Sequence, residues 1–437
     1  MQAQLFNNSK QETFIPEKVY ICVDVDSFFA QCDSRKLGLD NSVPLVSVQW
    51  GQCVSVNYAA RARGVKNWST LPEALKAYPD VVVSHADTFK PGESISNPYN
   101  TDLGEKFKKH DRRTEKVSLE HYRAEAERIF SILEKYSDIV EKASFDEAFL
   151  DVTGSVIERY ENRGGRWYGK MLGGCEFKPQ SKHEILLQIG SEIAQEIRTE
   201  LVNTLDYTCS AGISYNKMLC KLASSLNKPD GQAIICPRYV LEALKPVAIK
   251  KIRNFGRKIA EAFEEVGFQT LGQLRELNLQ QTYQVIKDEK TAKWIYFRAR
   301  GYDEEEVKEK EFASKSIMSS KLVRDVTTMK DLEVVINLVL TDLYTRLVKY
   351  YEKYKTVPRS LHLHYANKKW ENAKIKSVGI DLKVNPDEFK SKIEEKAMSL
   401  ISSVKELVFP CYSLAFSLRD FEKNDFDKFE FDLVSLR

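Results

Sequence analysis

Short apolar runs separated by polar turns fill the first half of the chain. The run Val19–Val23 is rich in β-branched residues and ends at Asp24, which predicts a buried strand. Similar runs predict strands over 43–49, 52–56, 81–84 and 207–213 and a hairpin over 139–152. Apolar residues at helical spacing predict long helices over 120–136 and 183–201. Strands and helices are therefore mixed along the chain, and we expect an α/β fold of the α+β type.

A further helix is predicted between Ser214, which is typical of an N-cap, and Pro229, which stops it. Its apolar stripe predicts a buried face made of Leu219, Leu222, Ala223 and Leu226. Its lysines lie on another face and are Lys217, Lys221 and Lys228. For the first two a solvated basic surface is a sufficient interpretation. Because Pro229 fixes the chain after Lys228, that amine can be aimed at a site.

The C-terminal third begins after a run of charged residues, 302–310, that lacks apolar periodicity and is most simply a linker. Beyond it the pattern restarts as strand, helix, two strands, helix and strand. This β-α-β-β-α-β order predicts an independent domain of about 120 residues. Two loop insertions, over 86–118 and 158–182, are indicated by Gly, Pro and charged residues.

Composition changes this picture little. The chain has 437 residues and a net charge of +3, and its mean hydropathy is −0.41. No apolar run reaches the 18 or so residues that a membrane helix needs. The eight cysteines are scattered without a CxxC pair, which favours reduced core residues over a zinc site or a disulfide framework. Charge is uneven, however, because residues 313–418 hold 18 Lys and Arg against 12 Asp and Glu.

Carboxylates interrupt two of the predicted strands. Asp24 and Asp26 follow the first buried strand, where an unpaired charge costs several kcal/mol on desolvation. Asp146 and Glu147 lie in the middle of the predicted hairpin. Strand geometry points neighbouring side chains to opposite faces, so both can serve one site only if the backbone turns there. Asp24, Asp146 and Glu147 together would supply three carboxylates, which suit Mg²⁺. The alternative is a strand-end cap or a structural charge network.

A tyrosine and an arginine lie three residues apart at the start of a short predicted helix. Tyr58 and Arg61 can then reach one anion together, because residues three apart share a helix face. The YxxR pattern alone is weak, since it occurs by chance in many helices.

Four ordered segments resemble the motifs of Y-family, translesion DNA polymerases. They are VDVDSFFAQ (23–31), VSVNYAARARGV (54–65), KASFDEAFLDVTG (142–154) and CSAGISYNKMLCKLASSLNKPDGQAI (209–234). The similarity extends to a thumb-like stretch over 246–274 and to KSIMSSK (315–321). Within the family, VQW (48–50), KVSLEHYR (116–123) and ASFDEAFLD (143–151) are most similar to the eta subgroup. The alternative is a kappa- or iota-like member.

The resemblance implies a right-hand polymerase with a palm, small fingers, a helical thumb and a C-terminal β-α-β-β-α-β little finger. Its implied boundaries are an N-terminal extension (1–17), palm (18–40 and 86–240), fingers (41–85), thumb (241–301), linker (302–312) and little finger (313–437). It implies template-directed, low-fidelity deoxynucleotidyl transfer past damaged bases, without proofreading. For the eta subgroup this includes bypass of ultraviolet-induced pyrimidine dimers.

The resemblance also implies site residues. Asp24, Asp146 and Glu147, with the carbonyl of Val25, would bind two Mg²⁺ ions, for which Mn²⁺ can substitute. Asp26 is not required by the family pattern. The nucleotide contacts implied are Ser27, Phe28, Phe29, Tyr58, Arg61 and Lys228, with Phe29 as the steric gate against a 2′-hydroxyl. Of the two consecutive phenylalanines, we expect one to pack and the other to face the sugar.

Further residues are implied as DNA contacts. Gln49 and Trp50 would touch the template base, and Gly256 with Lys258 would hold a phosphate at a helix-hairpin-helix turn. On the little finger the implied contacts are Lys315, Ser316, Lys321 and Arg324. The chain departs from the eta pattern after Gly64-Val65, where Lys66 and Asn67 stand in place of an arginine.

The implied partners are primer–template DNA and a deoxynucleoside triphosphate, without a membrane. The resemblance also suggests the sliding clamp and ubiquitin-signalling factors, although no motif for either is found, and a nuclear location. Two rivals stand beside a polymerase: a non-catalytic DNA-binding scaffold with the same fold, and a palm-like nucleotidyl cyclase.

Overall fold

The computed structural model describes residues 17–93, 110–162, 170–171, 179, 181–309, 315–367, 373–384 and 386–424. Within them the strands are, in chain order, β1 (Tyr20–Val25), β2 (Leu45–Gln49), β3 (Gln52–Val56), β4 (Val82–His85), β5 (Thr88–Phe89), β6 (Lys116–Val117), β7 (Val140–Lys142), β8 (Glu147–Asp151), β9 (Lys170–Met171), β10 (Cys209–Ser214), β11 (Gln232–Ile234), β12 (Ser316–Val326), β13 (Thr356–Ala366), β14 (Lys374–Gly379) and β15 (Cys411–Lys423).

The helices in the same residues are α1 (Phe28–Lys36), α2 (Tyr58–Ala62), α3 (Leu71–Ala77), α4 (Glu120–Leu133), α5 (Thr153–Asn162), α6 (Lys182–Leu205), α7 (Lys217–Leu226), α8 (Val240–Leu244), α9 (Arg257–Glu264), α10 (Leu271–Glu276), α11 (Leu279–Ile286), α12 (Glu289–Arg298), α13 (Met329–Tyr354) and α14 (Phe389–Ser403). Mixed strands and helices confirm the α/β class. No helix in the described part of the chain is long and apolar enough to cross a membrane.

The chain divides into two compact units. The first comprises Met1–Gln31 and Arg123–Lys310, and the second comprises Cys32–Tyr122 and Glu311–Arg437. Helices α1 and α4 each continue from one unit into the other. The domain boundaries given by the sequence remain a prediction.

The first unit is built on a six-stranded sheet with the order β7-β8-β1-β10-β11-β9. β1 lies between two antiparallel neighbours, β8 and β10, and every residue of β1 is buried. Helix α7 packs closely on β10. A Cβ atom added at Gly212 of β10 would lie only 1.9 Å from the carbonyl oxygen of Cys220 in α7. Only glycine fits there, so Gly212 sets how near α7 comes to the sheet.

The second unit contains a three-stranded sheet, β3-β2-β4, and a four-stranded antiparallel sheet, β12-β15-β13-β14. The element order of its C-terminal part is β-α-β-β-α-β, as the sequence predicts. Helices α13 and α14 cover one face of the sheet, where Leu343 and Phe389 pack with Leu361 of β13 in one apolar cluster.

Three sequence predictions about local structure are wrong. Helix α7 begins at Lys217 with Asn216 as its N-cap, because the Asn216 side chain accepts the backbone N–H of Leu219 at 2.9 Å. Leu226 is not part of the buried stripe, since 49% of it is exposed in the last turn. The insertion predicted from residue 158 does not begin there, because α5 continues to Asn162.

The loop insertions lie partly outside the described residues. Of 86–118, residues 94–109 are not described, while β5 and β6 pair with each other at its two ends. The N-terminal extension is described only at residue 17, and the linker only up to residue 309.

Candidate active site

Strand pairing brings two of the predicted metal ligands side by side. β1 and β8 run antiparallel with Asp24 opposite Glu147, and Ser210 lies opposite Asp24 on the other side. Directly opposite residues point to the same face of a sheet. The two carboxylates therefore project together at the end of β1, with Asp24 buried and Glu147 half-buried.

The third acid lies at the corner between β7 and β8. The chain bends over Ser144–Asp146, which is the turn that the sequence analysis required for adjacent acids to serve one site. The backbone oxygen of Asp146 accepts the N–H of Val25 at 2.8 Å, so the corner is tied to the end of β1. Its carboxylate accepts the Ser144 hydroxyl at 2.5 Å.

Two lysines neutralise this acidic site. Lys221 Nζ lies 2.5 Å from Asp24 Oδ2 and 2.5 Å from Glu147 Oε2, and Lys228 Nζ pairs with Asp24 Oδ1. Burial acts to lower the pKa of Lys221, but the two carboxylates outweigh it and raise the pKa above its ordinary value. Lys221 therefore stays charged.

The donor set fits a divalent metal in part. Asp24 and Glu147 already converge on one cation, the Lys221 ammonium, and carboxylate oxygens are the ligands that Mg²⁺ prefers. Asp146 is next to Glu147 in sequence, but its carboxylate accepts a hydrogen bond from the Ser144 hydroxyl and forms no salt bridge with Lys221. Within the described ranges, no three His, Cys, Asp or Glu side chains are grouped so that they could hold a metal ion. A metal bound by all three acids requires the lysine to leave and Asp146 to turn.

Asp26 supports the site from behind. It is 1% exposed and accepts the Ser210 hydroxyl at 2.8 Å and the backbone N–H of Asp230 at 2.7 Å. Burial raises the pKa of Asp26, and these hydrogen bonds together with Lys228, at 3.7 Å, counteract part of that rise. Asp26 thus holds the 228–230 loop in place beside Asp24.

The turn from β1 to α1 contains the predicted nucleotide contacts Ser27, Phe28 and Phe29. Ser27 has a positive φ of 41°, and α1 begins at Phe28. Phe28 is 2% exposed and packs on Tyr207, with 6.4 Å between the ring centroids, whereas Phe29 is only half-buried. One phenylalanine therefore packs and the other reaches the surface. Its contact with a sugar stays a prediction.

Tyr58 and Arg61 belong to the second unit. Both lie on α2, and the Arg61 guanidinium is 4.3 Å from the centroid of the Tyr58 ring, so the two side chains share one face as predicted. Arg61 Nε also donates to the carbonyl of Val56 at 2.8 Å, which fixes the arginine near the start of the helix. Their role toward a triphosphate stays a prediction.

Gln49 and Trp50 stand at the tip of the β2–β3 hairpin in the second unit. Trp50 has a left-handed φ of 53°, and its N–H donates to Nε2 of His85 at 3.2 Å. Burial is the main cause that lowers the pKa of His85, so the imidazole remains a neutral acceptor. The tip is thereby held in a defined conformation.

The predicted DNA contacts differ in accessibility. Gly256 and Lys258 are exposed at the start of α9, and Lys315 and Ser316 are exposed where β12 begins. Lys321 is 6% exposed, and its amine donates to the carbonyls of Arg112 and Glu115 at 2.8 and 2.6 Å. A phosphate contact by Lys321 would require both hydrogen bonds to break. The side chain of Arg324 lies outside the described residues.

Lys217 and Lys221 are the functional residues that the sequence analysis misplaced. The solvated surface considered for them is wrong, since Lys217 is 1% exposed and Lys221 bridges two carboxylates. The available signal was their spacing of four residues on one face of α7, opposite two acidic strands. Spacing alone did not say that the lysine face of that helix would be covered as well as its apolar stripe.

Residues 23–225 match the family described as impB/mucB/samB. The chain is 34% identical over 274 residues to N-acetyltransferase eso1 of Schizosaccharomyces pombe, covering 56% of this chain and 30% of that protein. It is 30% identical over 269 residues to DNA polymerase eta of Saccharomyces cerevisiae, covering 51% and 42%. It is 29% identical over 385 residues to DNA polymerase eta of Arabidopsis thaliana, covering 79% and 52%.

The match over residues 23–225, which is less than half of the chain, and the relatives named DNA polymerase eta confirm the resemblance to Y-family polymerases. Other relatives are named DNA polymerase iota and DNA polymerase IV, so the comparisons do not single out one subgroup. The chain spans about half or less of the length of the three eukaryotic relatives described above. Only 30% of eso1 is covered by this match, so the acetyltransferase activity in its name is not assigned to this chain.

Proposed function

We propose that this chain is a template-directed DNA polymerase that acts in translesion synthesis. The observation that carries the proposal is the pairing of Asp24 with Glu147, which places two carboxylates around one cation at the end of a buried strand. A structural ion pair has no need of a second lysine at the same carboxylate, yet Lys228 also binds Asp24. The family match and the names of the relatives support the same reaction.

In this proposal Asp24, Asp146, Glu147 and the Val25 carbonyl hold two divalent ions. When bound, such ions lower the pKa of a primer 3′-hydroxyl and stabilise the leaving pyrophosphate. The residues of the chain then have separate tasks. Lys228 offers positive charge to the triphosphate, and the half-buried ring of Phe29 limits the space beside the sugar.

The right-hand layout is also part of the proposal. We assign the palm to 18–40 and 86–240, the fingers to 41–85, the thumb to 241–301 and the little finger to 313–437. The helical content of α8 to α12 and the β-α-β-β-α-β order after residue 315 support the last two assignments. Exposed cations on the little finger would follow DNA phosphates without reading sequence.

Primer extension with Mg²⁺ tests the reaction. The wild-type chain should extend a primer by template-directed addition, and the double variant Asp146→Ala/Glu147→Ala should not, while both keep the same circular dichroism spectrum. Equal, background-level extension by both proteins would overturn the proposal. DNA binding without extension would then identify a scaffold, and a cyclic product formed from nucleotide alone would identify a cyclase.

We further propose an eta-like specificity, with bypass of ultraviolet-induced pyrimidine dimers in the nucleus. The two relatives named DNA polymerase eta, at 30% and 29% identity, support this subgroup. Extension past a cyclobutane thymine dimer, compared with an undamaged template of the same sequence, is the test. Equal efficiency is expected, and a block at the dimer would assign the chain to another subgroup.

A further inference from the structure

The charged run after the helical part of the first unit is not a solvated linker. Residues 302–309, here called the acidic segment, form neither helix nor strand, but some of their side chains are buried against the first unit. Asp303 has a fully buried side chain, and Val307 is 5% exposed, whereas Glu304 is exposed. The segment is therefore buried at Asp303 and Val307 and exposed at positions between them.

Asp303 binds the start of α7. Its Oδ2 accepts the backbone N–H of Met218, the second residue of the helix, at 2.9 Å. Its Oδ1 pairs with Arg298 at 2.6 Å, where both side chains are almost completely buried. A carboxylate at a helix start satisfies an otherwise unpaired N–H and is favoured by the helix dipole. The segment thus serves as an external cap for α7.

Glu305 binds the first side chain of the same helix. Lys217 Nζ lies 2.5 Å from Glu305 and 2.7 Å from Glu141 of β7, and Arg253 lies 2.6 Å from Glu305. Burial acts to raise the pKa of Glu305, but Lys217 and Arg253 lower it to about 2. Because Lys217 is 1% exposed, losing an acidic partner would leave its charge poorly compensated inside the protein.

Two further contacts hold the acidic segment against the sheet. Val307 packs in one apolar cluster with Cys22 of β1, Phe149 of β8 and Cys220 of α7. The backbone N–H of Lys308 donates to Glu141 at 3.3 Å. Phe149 also lies beneath the Lys217 ammonium, which is 5.2 Å from its ring centroid. The segment, α7 and the strands that carry Asp24 and Glu147 thus pack together.

Lys217 and Lys221 are one helical turn apart and lie on the same face of α7. The first is held by the acidic segment, and the second bridges Asp24 and Glu147. We propose that Asp303 and Glu305 are positioning residues of the acidic site: by fixing the first turn of α7 they hold Lys221 on the two carboxylates and set the start of the chain that leads to Lys228. The proposal rests on the proposed polymerase function for its catalytic consequence.

The proposal differs from simple structural support in what it predicts for ligands. Lys221 occupies the carboxylate oxygens that a metal ion needs, so a loosened α7 should bind a metal more easily in the absence of nucleotide. A more mobile α7 should also lower the affinity for a triphosphate, because Lys228 follows the same helix. Tighter metal binding and weaker nucleotide binding in one variant cannot both follow from a general loss of structure.

The first experiment measures backbone hydrogen exchange in α7. Glu305→Gln and Asp303→Asn should each speed exchange at residues 218–223, and Glu304→Gln is the matched control because Glu304 is exposed in the same segment. Glu305→Asp, which keeps the charge, should restore part of the protection. Unchanged exchange in α7 for both Glu305→Gln and Asp303→Asn would overturn the proposal.

The second experiment follows ligands on the full chain. Mn²⁺ binding to the free protein, measured by electron paramagnetic resonance, should tighten about three- to ten-fold in Glu305→Gln, the range expected when one ordinary hydrogen bond is lost. In primer extension the KM for nucleotide should rise by a similar factor while kcat changes less. Equal Mn²⁺ affinity and equal KM in Glu305→Gln and Glu304→Gln would overturn the proposal.

The proposed polymerase function and the positioning role of Asp303 and Glu305 can be overturned separately. If the wild-type chain neither binds Mn²⁺ nor extends a primer, the proposed function fails, whatever the exchange data show. If the wild type does both and Glu305→Gln behaves as Glu304→Gln does, only the positioning role fails. Should Glu305→Gln prove unfolded by circular dichroism, Asp303→Asn and Glu305→Asp carry the same comparison, and agreement of both with the control overturns the role.

Discussion

Lys221 Nζ lies 2.5 Å from Oε2 of Glu147, a contact between residues 74 positions apart. The amine reaches Asp24 at the same distance, so one positive charge holds two carboxylates that would otherwise repel. The contact explains how two strands can pair side by side although each carries a carboxylate there. It also makes Lys221 a competitor for any cation that uses these oxygens.

Removing this amine should therefore favour metal binding. Lys221→Met keeps an unbranched side chain, one atom shorter, and deletes the charge. We expect the Mn²⁺ affinity of the free protein to rise about ten-fold, since one charge at close range contributes on the order of 1 kcal/mol or more. Titration followed by electron paramagnetic resonance measures it. Lys258→Met, at an exposed position of α9, is the control. An affinity equal to that of the control would contradict the assignment.

Asp33 should make the stability of the fold depend on pH. Burial raises the pKa of its carboxyl from 3.8 to about 6, although hydrogen bonds from Ser47 and Tyr122 oppose the rise. Since the folded-state pKa is the higher one, Asp33 favours folding below pH 4, and this contribution is lost as pH rises through 6. The free energy of unfolding should thus fall by about 3 kcal/mol from this group.

Asp33→Asn removes that titration. The difference in unfolding free energy, variant minus wild type, should become more positive by about 2–3 kcal/mol between pH 4 and pH 7. Urea unfolding at several pH values provides the measurement. Asp80→Asn, at an exposed position of the same unit, is the control variant. A flat difference for Asp33→Asn would mean that the carboxyl is not held in a desolvated site.

Truncation should affect stability more at Phe28 and sugar discrimination more at Phe29. Phe28→Ala empties a core position and should cost about 3–5 kcal/mol of stability. Phe29→Ala removes a half-buried ring, so its stability cost should be smaller, and the proposed function predicts increased incorporation of ribonucleotides. Primer extension with ribo- and deoxynucleoside triphosphates compares the two. Unchanged sugar discrimination in a folded Phe29→Ala protein would remove the ring from that role.

Gly212 and Gly154 form a matched pair for the packing of α7. A Cβ atom at Gly212 would lie 1.9 Å from the Cys220 oxygen, whereas at Gly154, in α5, no atom lies within 4 Å. Gly212→Ala should therefore force α7 away from β10 and destabilise the protein by more than about 2 kcal/mol. Gly154→Ala should leave stability unchanged or raise it by up to about 0.5 kcal/mol, because Gly154 is the second residue of α5 and the full cost of glycine applies only inside a helix. Thermal unfolding of both variants checks the contrast.

Local chemistry in the sequence was enough to predict the buried strand that carries Asp24, the bend at Asp146 and the packing of one phenylalanine out of two. Each depends on residues close in sequence. The partners of Lys217 are Glu141 and Glu305, 76 and 88 positions away, and no local pattern names them. The charge run 302–310 was misjudged for the same reason, because its partners Lys217, Arg253 and Arg298 lie on other elements.

Lys321 was predicted to lie at the surface but is buried. Its position near the start of a basic strand predicted a surface contact, but strand alternation places it among the inward-facing residues, where burial lowers its pKa to about 8. Period-two alternation was available in the sequence. Which of the two faces would be covered depended on the helices and loops that pack there.

Helix α7 and the β7–β8 hairpin are joined by two salt bridges, one from Lys217 to Glu141 and one from Lys221 to Glu147. The lysines are four residues apart on the helix, and the acids are six residues apart around the bend. Gain or loss of a single residue between either pair would misalign one of the bridges. The lengths of these two stretches are therefore fixed by the protein's own salt bridges, and we expect neither stretch to tolerate an inserted residue.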